Sequence, residues 1–308
     1  MDTSFAPTPA SIYARMSSTE FAVSPTISQA TFLGYTPSLS LITITVILFA
    51  GASLGLTYRM IRGRWRARYM LPLVIGCYTI TAGYIMRYPL RSHGKNKTIF
   101  IVEDLLVLLS PCAFIATEYS LLGRQAVHTG TDNYLMVKAS LLAKVFIGSD
   151  ITTFLIQAGG GSLAISKNPH TIRTGENIFK VGIIAQLASF GLFCAVLIVW
   201  LERVHKKSPQ VWSIAAGSNW KDDWRTVAYA QLFSCACIII RSIYRTVSGV
   251  QGYRGSLATN QAAFYICDAL ACFLAVAVYT VVWPGQYIDP NRTLSKDDVV
   301  RGASGVEM

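Results

Sequence analysis

PSLSLITITVILFAGASLGLTYRMIRGRWRAR, residues 37–68, decides the fold. Its first part, Pro37–Leu56, is uncharged and about as long as an α-helix must be to cross a bilayer. Arg59, Arg62, Arg64, Arg66 and Arg68 follow directly, and such a basic run beside a span marks the cytoplasmic side. Six further stretches repeat the apolar signal: Tyr69–Met86, Thr98–Leu122, Ala139–Ala158, Ile178–Leu201, Val227–Arg245 and Gln261–Trp283. Hydrocarbon offers no water to a backbone N–H or C=O, so stretches of this length satisfy their hydrogen bonds internally, as helices. The expected fold is all-α: a polytopic membrane protein built as a bundle of seven transmembrane helices.

Composition agrees. Apolar residues make up 52% of the 308 and charged residues 14%, against about 25% charged in a soluble domain. The net charge of +11 therefore reads as topology, and no nucleic acid partner is implied. Lys and Arg in the loops and tails, Arg87 at the end of the second span left aside, number 15 on the side of the arginine run and 7 on the other, which puts the N-terminus outside and the C-terminus in the cytoplasm. Residues 1–36 hold 12 Ser or Thr and read as a flexible extracellular tail without a cleavable signal peptide. Residues 37–285 form the seven-helix domain, and 286–308 a short cytoplasmic tail. Asn96-Lys97-Thr98 is a glycosylation sequon on the outer side, whereas Asn291-Arg292-Thr293 lies inside. The basic first loop also suits the anionic head groups of membrane lipids.

An ionisable group inside a span is costly and marks a functional candidate. The fourth span reads KVFIGSDITTFLIQAGGG and sets Asp150 and Gln157 seven residues apart, on one helical face. Gly159, Gly160 and Gly161 follow, either as a cap or as a close approach to a ligand or a neighbouring helix. The seventh span places Gln261, Tyr265, Asp268 and Cys272 on one stripe. Arg241 and Arg245 lie one turn apart on the sixth, Gln186 lies on the fifth, Tyr84 and Arg87 end the second, and Glu103 and Asp104 begin the third. In the topology above these groups gather in the outer half of the membrane, with Asp150 just below. The expectation is a polar cavity open to the outside, fit for an amphipathic lipid or small molecule. The plainer reading is packing: Arg87 and Arg245 snorkel to head groups, Asp150 and Asp268 pair with Arg241 or Lys144, and Glu118 pairs with Arg124.

The pieces GYIMR (Gly83 to Arg87), LLSPCAFIATEYSLLGR (with Pro111, Tyr119 and Arg124), GSDITTFLIQAGGG (Asp150, Gln157), GIIAQLASFGLF (Gly182, Gln186), RSIYRTVSGVQGYRGSL (Arg241, Arg245) and FYICD (Tyr265, Asp268) follow in order. Through them the chain resembles the fungal RTA-like family, the seven-helix lipid-translocating exporters, over about residues 35–285. The resemblance implies export or leaflet-to-leaflet movement of amphipathic lipids such as sphingoid bases, resistance to toxic sterol-like or drug-like amphiphiles, and a fungal plasma membrane. One branch resembles a porphyrin carrier. Thr79-Ile80-Thr81, Ser248 and Gln261 stand where the family usually carries Glu, which implies a less acidic cavity and a less cationic ligand.

Other classes fit less well. No Walker-type loop is present, so ATP hydrolysis is not expected, and transport would be facilitated or proton-coupled through Asp150 or Asp268. A seven-helix receptor or sensor for an amphipathic ligand is the alternative. Against it stand Leu121-Leu122-Gly123-Arg124 where an acidic-Arg-Tyr triplet would be, and Trp283-Pro284-Gly285 in place of an Asn-Pro pair. All four His lie in loops and all seven Cys in spans as small apolar residues, so no catalytic, metal or cofactor site is read and the chain is not expected to be an enzyme.

Overall fold

The computed structural model describes residues 38–63, 67–92, 97–164, 166, 168–213, 223–251, 257 and 260–288. The N-terminal tail, Asn96 of the first sequon, the whole second sequon, Arg64, Arg66 and nearly all of the C-terminal tail lie outside the described residues. Seven helices among them are long and apolar enough to cross a membrane. They are α1 Leu39–Arg62, α2 Arg68–Arg91 with Leu71–Ile85 as its main helical stretch, α3 Lys97–His128, α4 Ala139–Ala164, α5 Pro169–Lys207, α6 Trp224–Gln251 and α7, which joins Gln261–Ala263, Phe264–Leu270 and Ala271–Val281. The protein is an integral multi-pass membrane protein.

Each helix packs on the next, α7 returns to α1, and α3 touches α2, α4, α5 and α6. The ring is thus closed around α3. Its outside is greasy: Ile47, Leu54, Leu155 and Leu192 are each 63–65% exposed, a surface that hydrocarbon covers without cost. The interior is closed by large rings and aliphatics such as Phe49, Tyr84, Phe114, Tyr119, Phe190 and Trp200.

Two helices run well past their expected ends. Helix α5 has 39 residues because Asn168 caps it, accepting the His170 N–H at 3.1 Å, and Pro169 occupies the first helical position. Its early polar turns lie outside any hydropathy window, which hid them. Helix α4 likewise runs through Gly159–Gly161 to Ala164, so the triplet is not a cap. A Cβ on Gly160 would lie 2.5 Å from the Phe179 nitrogen and 2.9 Å from the Gly175 carbonyl oxygen. The glycine is there so that the backbones of α4 and α5 can touch. Helix α7 holds a further departure. Phe264–Leu270 is a π-helical segment, a widened turn that a reading in steps of 3.6 residues does not anticipate. Gln261, Tyr265, Asp268 and Cys272 still face inward, with Asp268 1% exposed.

Candidate functional site

One end of the bundle, where α1 finishes with Arg59 and Arg62, is the arginine-rich end. The polar side chains of the spans collect mainly in the opposite half, in three groups.

The first group is a charge network. Arg241 and Arg245 both place Nε 3.1 Å from Oδ1 of Asp268, and Arg245 also reaches Asp104 at 3.7 Å. Arg87 donates to Glu103 at 2.7 Å, and its guanidinium lies 4.1 Å from the centre of the Phe264 ring, with Tyr84 and Tyr265 beside it. Arg87 is 3% exposed, so it points into the protein and does not snorkel. Three arginines meet three acids, and the network ties α2, α3, α6 and α7 together. Pro111 adds a link. It lacks an N–H, so the Val107 carbonyl one turn earlier loses its helical partner, and Arg241 donates to that oxygen at 3.2 Å.

The second group is an amide pair beside an open space. Gln157 on α4 donates to Gln186 on α5 at 2.8 Å, and Gln186 donates onward to the Cys112 sulfur at 3.3 Å. Gly182 permits this, since a Cβ there would come within 2.7 Å of the Gln157 Cγ. Gln157, Gln186, Arg241 and Arg245 line one crevice among α3, α4, α5 and α6, walled by apolar groups including Leu108 and Ile183, with an empty volume of about 340 Å³ counting its mouth. A neighbouring crevice of about 280 Å³ between α3 and α4 shares Leu108 and Gln157 with it. Gln157 is fully buried, and its Oε1 accepts no hydrogen bond among the described residues. Four of the nine candidate residues line this narrow crevice.

The third group holds acids with neutral partners. Asp150 lies on the same face of α4 as Gln157, as the spacing predicts, and is 3% exposed. It pairs with neither Arg241 nor Lys144. Its Oδ2 accepts the Tyr119 hydroxyl at 2.8 Å, and the Ser189 hydroxyl is a further neutral neighbour. Glu118 does not pair with Arg124, whose guanidinium lies 4.7 Å from the centre of the Tyr69 ring. Instead Oε1 of Glu118 accepts from Ser234 at 2.6 Å, and the Tyr279 hydroxyl sits 2.7 Å from Oε2. Gln231 donates to the Glu118 carbonyl at 2.8 Å and accepts from Gln125 at 3.0 Å. These links join α3, α6 and α7 nearer the arginine-rich end.

Tyr119 and Cys112 touch candidate residues but were not themselves read as site residues. Only Pro111, a proline inside a span, signalled that this part of α3 has unusual partners. Of the other candidates, Tyr84 and Tyr265 flank the Arg87 guanidinium, and Asp268 meets Arg241 and Arg245, which line the crevice.

This arrangement can be set beside known proteins. The chain is 30% identical over 217 residues to protein RTA1 of Saccharomyces cerevisiae, covering 70% of this chain and 65% of that relative's length. It is 28% identical over 211 residues to protoporphyrin uptake protein 1 of the same yeast, covering 68% of this chain and 67% of that protein. It is 25% identical over 317 residues to the sphingoid long-chain base transporter RSB1 of Saccharomyces cerevisiae, covering 88% of this chain and 82% of that protein. No solved structure matches. Residues 73–291, from within α2 to past the end of α7, match the family described as RTA1 like protein. That stretch holds every residue of the charge network, the amide pair and the two neutral-partnered acids, and the chain belongs to the RTA1-like family.

Proposed function

We propose that this protein translocates amphipathic lipids between leaflets and exports them at a fungal plasma membrane, with its N-terminus outside. Sphingoid bases are the first class to test, with sterol-like and drug-like amphiphiles next. The observation that carries the reading is the crevice among α3 to α6, where an amide pair and two arginines sit behind an apolar wall in the middle of membrane-spanning helices. A greasy slot with a few convergent polar groups fits a ligand with a polar head and an apolar body. A long-chain base and a protoporphyrin, the ligands in two relatives' names, are both of that kind.

Asp150 is the group we assign to proton coupling. Among the described residues it has neutral neighbours and no cation paired with it, so gaining or losing a proton there strands no counter-ion. Asp268, held by two arginines, is a poorer candidate.

The test is release of labelled sphingoid base from yeast lacking its own exporter and expressing this protein. Wild type should release the label faster than the empty vector. Asp150→Asn should release no faster than the vector while reaching the surface at normal abundance. Equal release by wild type and vector, with surface expression verified, would remove sphingoid bases from the substrate list.

A further inference from the structure

We propose that the slot between α3 and α4 is a lateral portal, through which a single-chain amphiphile with a small hydrogen-bond-donating head group passes from the bilayer to Gln157. The proposal rests on the translocation reading and specifies its route.

The slot exists because of sequence. On α4 its wall is Ala158, Gly161 and Ser162, none with a side chain longer than a hydroxymethyl group. On α3 it is formed by Ile101, Asp104 and Leu105, all partly exposed. Ser162 lies two residues from the end of α4 and Gln157 lies seven, so the slot descends about 8 Å along the helix from mouth to floor. Both walls are membrane-spanning helices, so the slot lies between two elements that face the bilayer. At the floor, Leu108 and Gln157 also line the larger crevice, so these two side chains are shared by both spaces.

The polar atoms along the slot include three acceptors. Asp104 is 26% exposed at its side chain and meets Arg245 only at 3.7 Å, whereas Glu103 and Asp268 are sealed at 3% and 1%. The Ser162 hydroxyl spends its proton on the Ala158 carbonyl at 2.8 Å, leaving its lone pairs to the slot. The Oε1 of Gln157 is buried with no donor among the described residues, and a buried acceptor of that kind calls for one. An ammonium or hydroxyl head group supplies donors to all three in turn. A phosphate head group supplies mainly acceptors and leaves the Oε1 of Gln157 without a donor.

Gly161 gives a selective way to close the portal. A Cβ there would meet the Phe179 ring at 3.7 Å, an ordinary contact, whereas a Cβ on Gly159 would meet nothing within 4 Å. Gly161→Leu therefore fills the slot without prying α4 from α5, and Gly159→Leu is the control on the lipid side of the same helix.

The experiment uses the purified full chain in lipid nanodiscs and an octadecylamine carrying a photoreactive group next to the amine. Cross-links should map to residues 101–108 and 157–162 and be competed by octadecylamine but not by octadecyl phosphate. Gly161→Leu should lose these cross-links and cut cellular release by about tenfold or more, with Gly159→Leu unchanged in both. Cross-links on other helices, equal competition by the phosphate, or wild-type release by Gly161→Leu would overturn the portal. If wild type releases nothing in cells yet cross-links in the slot, the translocation reading fails and the slot stands as a lipid site.

Discussion

Asp268 and Asp150 are both acids buried in membrane-spanning helices, at 1% and 3% exposure, and the protein treats them in opposite ways. Asp268 lies between two arginines within a network of three cations and three acids. Asp150 has the Tyr119 hydroxyl on Oδ2, the Ser189 hydroxyl as a further neutral neighbour, and no cation paired with it among the described residues. A charge neutralised by fixed partners can brace helices, but it is poorly suited to change during a transport cycle, since any change leaves a partner unpaired. An acid held by a neutral donor can gain or lose a proton with little rearrangement. On the proposed reading, the first region braces the bundle and the second is where the membrane domain responds.

The largest expected effect breaks the brace. Asp268→Asn leaves Arg241 and Arg245 without their shared carboxylate, and stranding buried charge of this kind costs about 3–5 kcal/mol. Surface abundance should fall steeply, and the detergent-solubilised protein should melt at lower temperature. Full abundance with transport abolished would reverse the comparison and make Asp268 part of the working site.

A middle-sized effect separates stability from function at the crevice. Gln157 and Gln186 bond mainly to each other, so replacing both removes donor and acceptor together, which is close to neutral for folding. The double variant Gln157→Leu with Gln186→Leu should keep near-normal abundance and lose most lipid release, because the crevice then offers the head group no amide. Loss of abundance matching that of Asp268→Asn would place the amide pair in the brace.

These distinctions were only partly legible in the chain. The seven spans follow from apolar length alone, and the seven-residue spacing of Asp150 and Gln157 correctly gives one buried face. Which acid meets which arginine does not follow, because it depends on neighbours across the ring: Asp268 takes both α6 arginines and leaves Asp150 to α3. Glu118 and Arg124 are near in sequence on one helix, yet they turn to different partners, Ser234 with Tyr279 and the Tyr69 ring. The middle glycine of the triplet serves helix packing, while its neighbour Gly161 opens the slot, a division that one residue of helical phase decides.

The smallest effect sharpens the comparison most. Tyr119→Phe keeps the ring, which packs edge-on against Phe193 with centroids 4.5 Å apart, and deletes only the hydroxyl that Asp150 accepts. One hydrogen bond of this kind is worth about 1.5–3 kcal/mol when its acceptor is charged. If Asp150 were a brace, that loss would appear as reduced abundance, as at Asp268 but weaker. If Asp150 works by changing its protonation, abundance should hold and lipid release should slow by severalfold and change its dependence on external pH, because the tyrosine no longer holds the carboxylate in place. Release assayed across a range of external pH, beside surface abundance, tells the two apart. An unchanged pH profile with lowered abundance would place Asp150 beside Asp268 as structure.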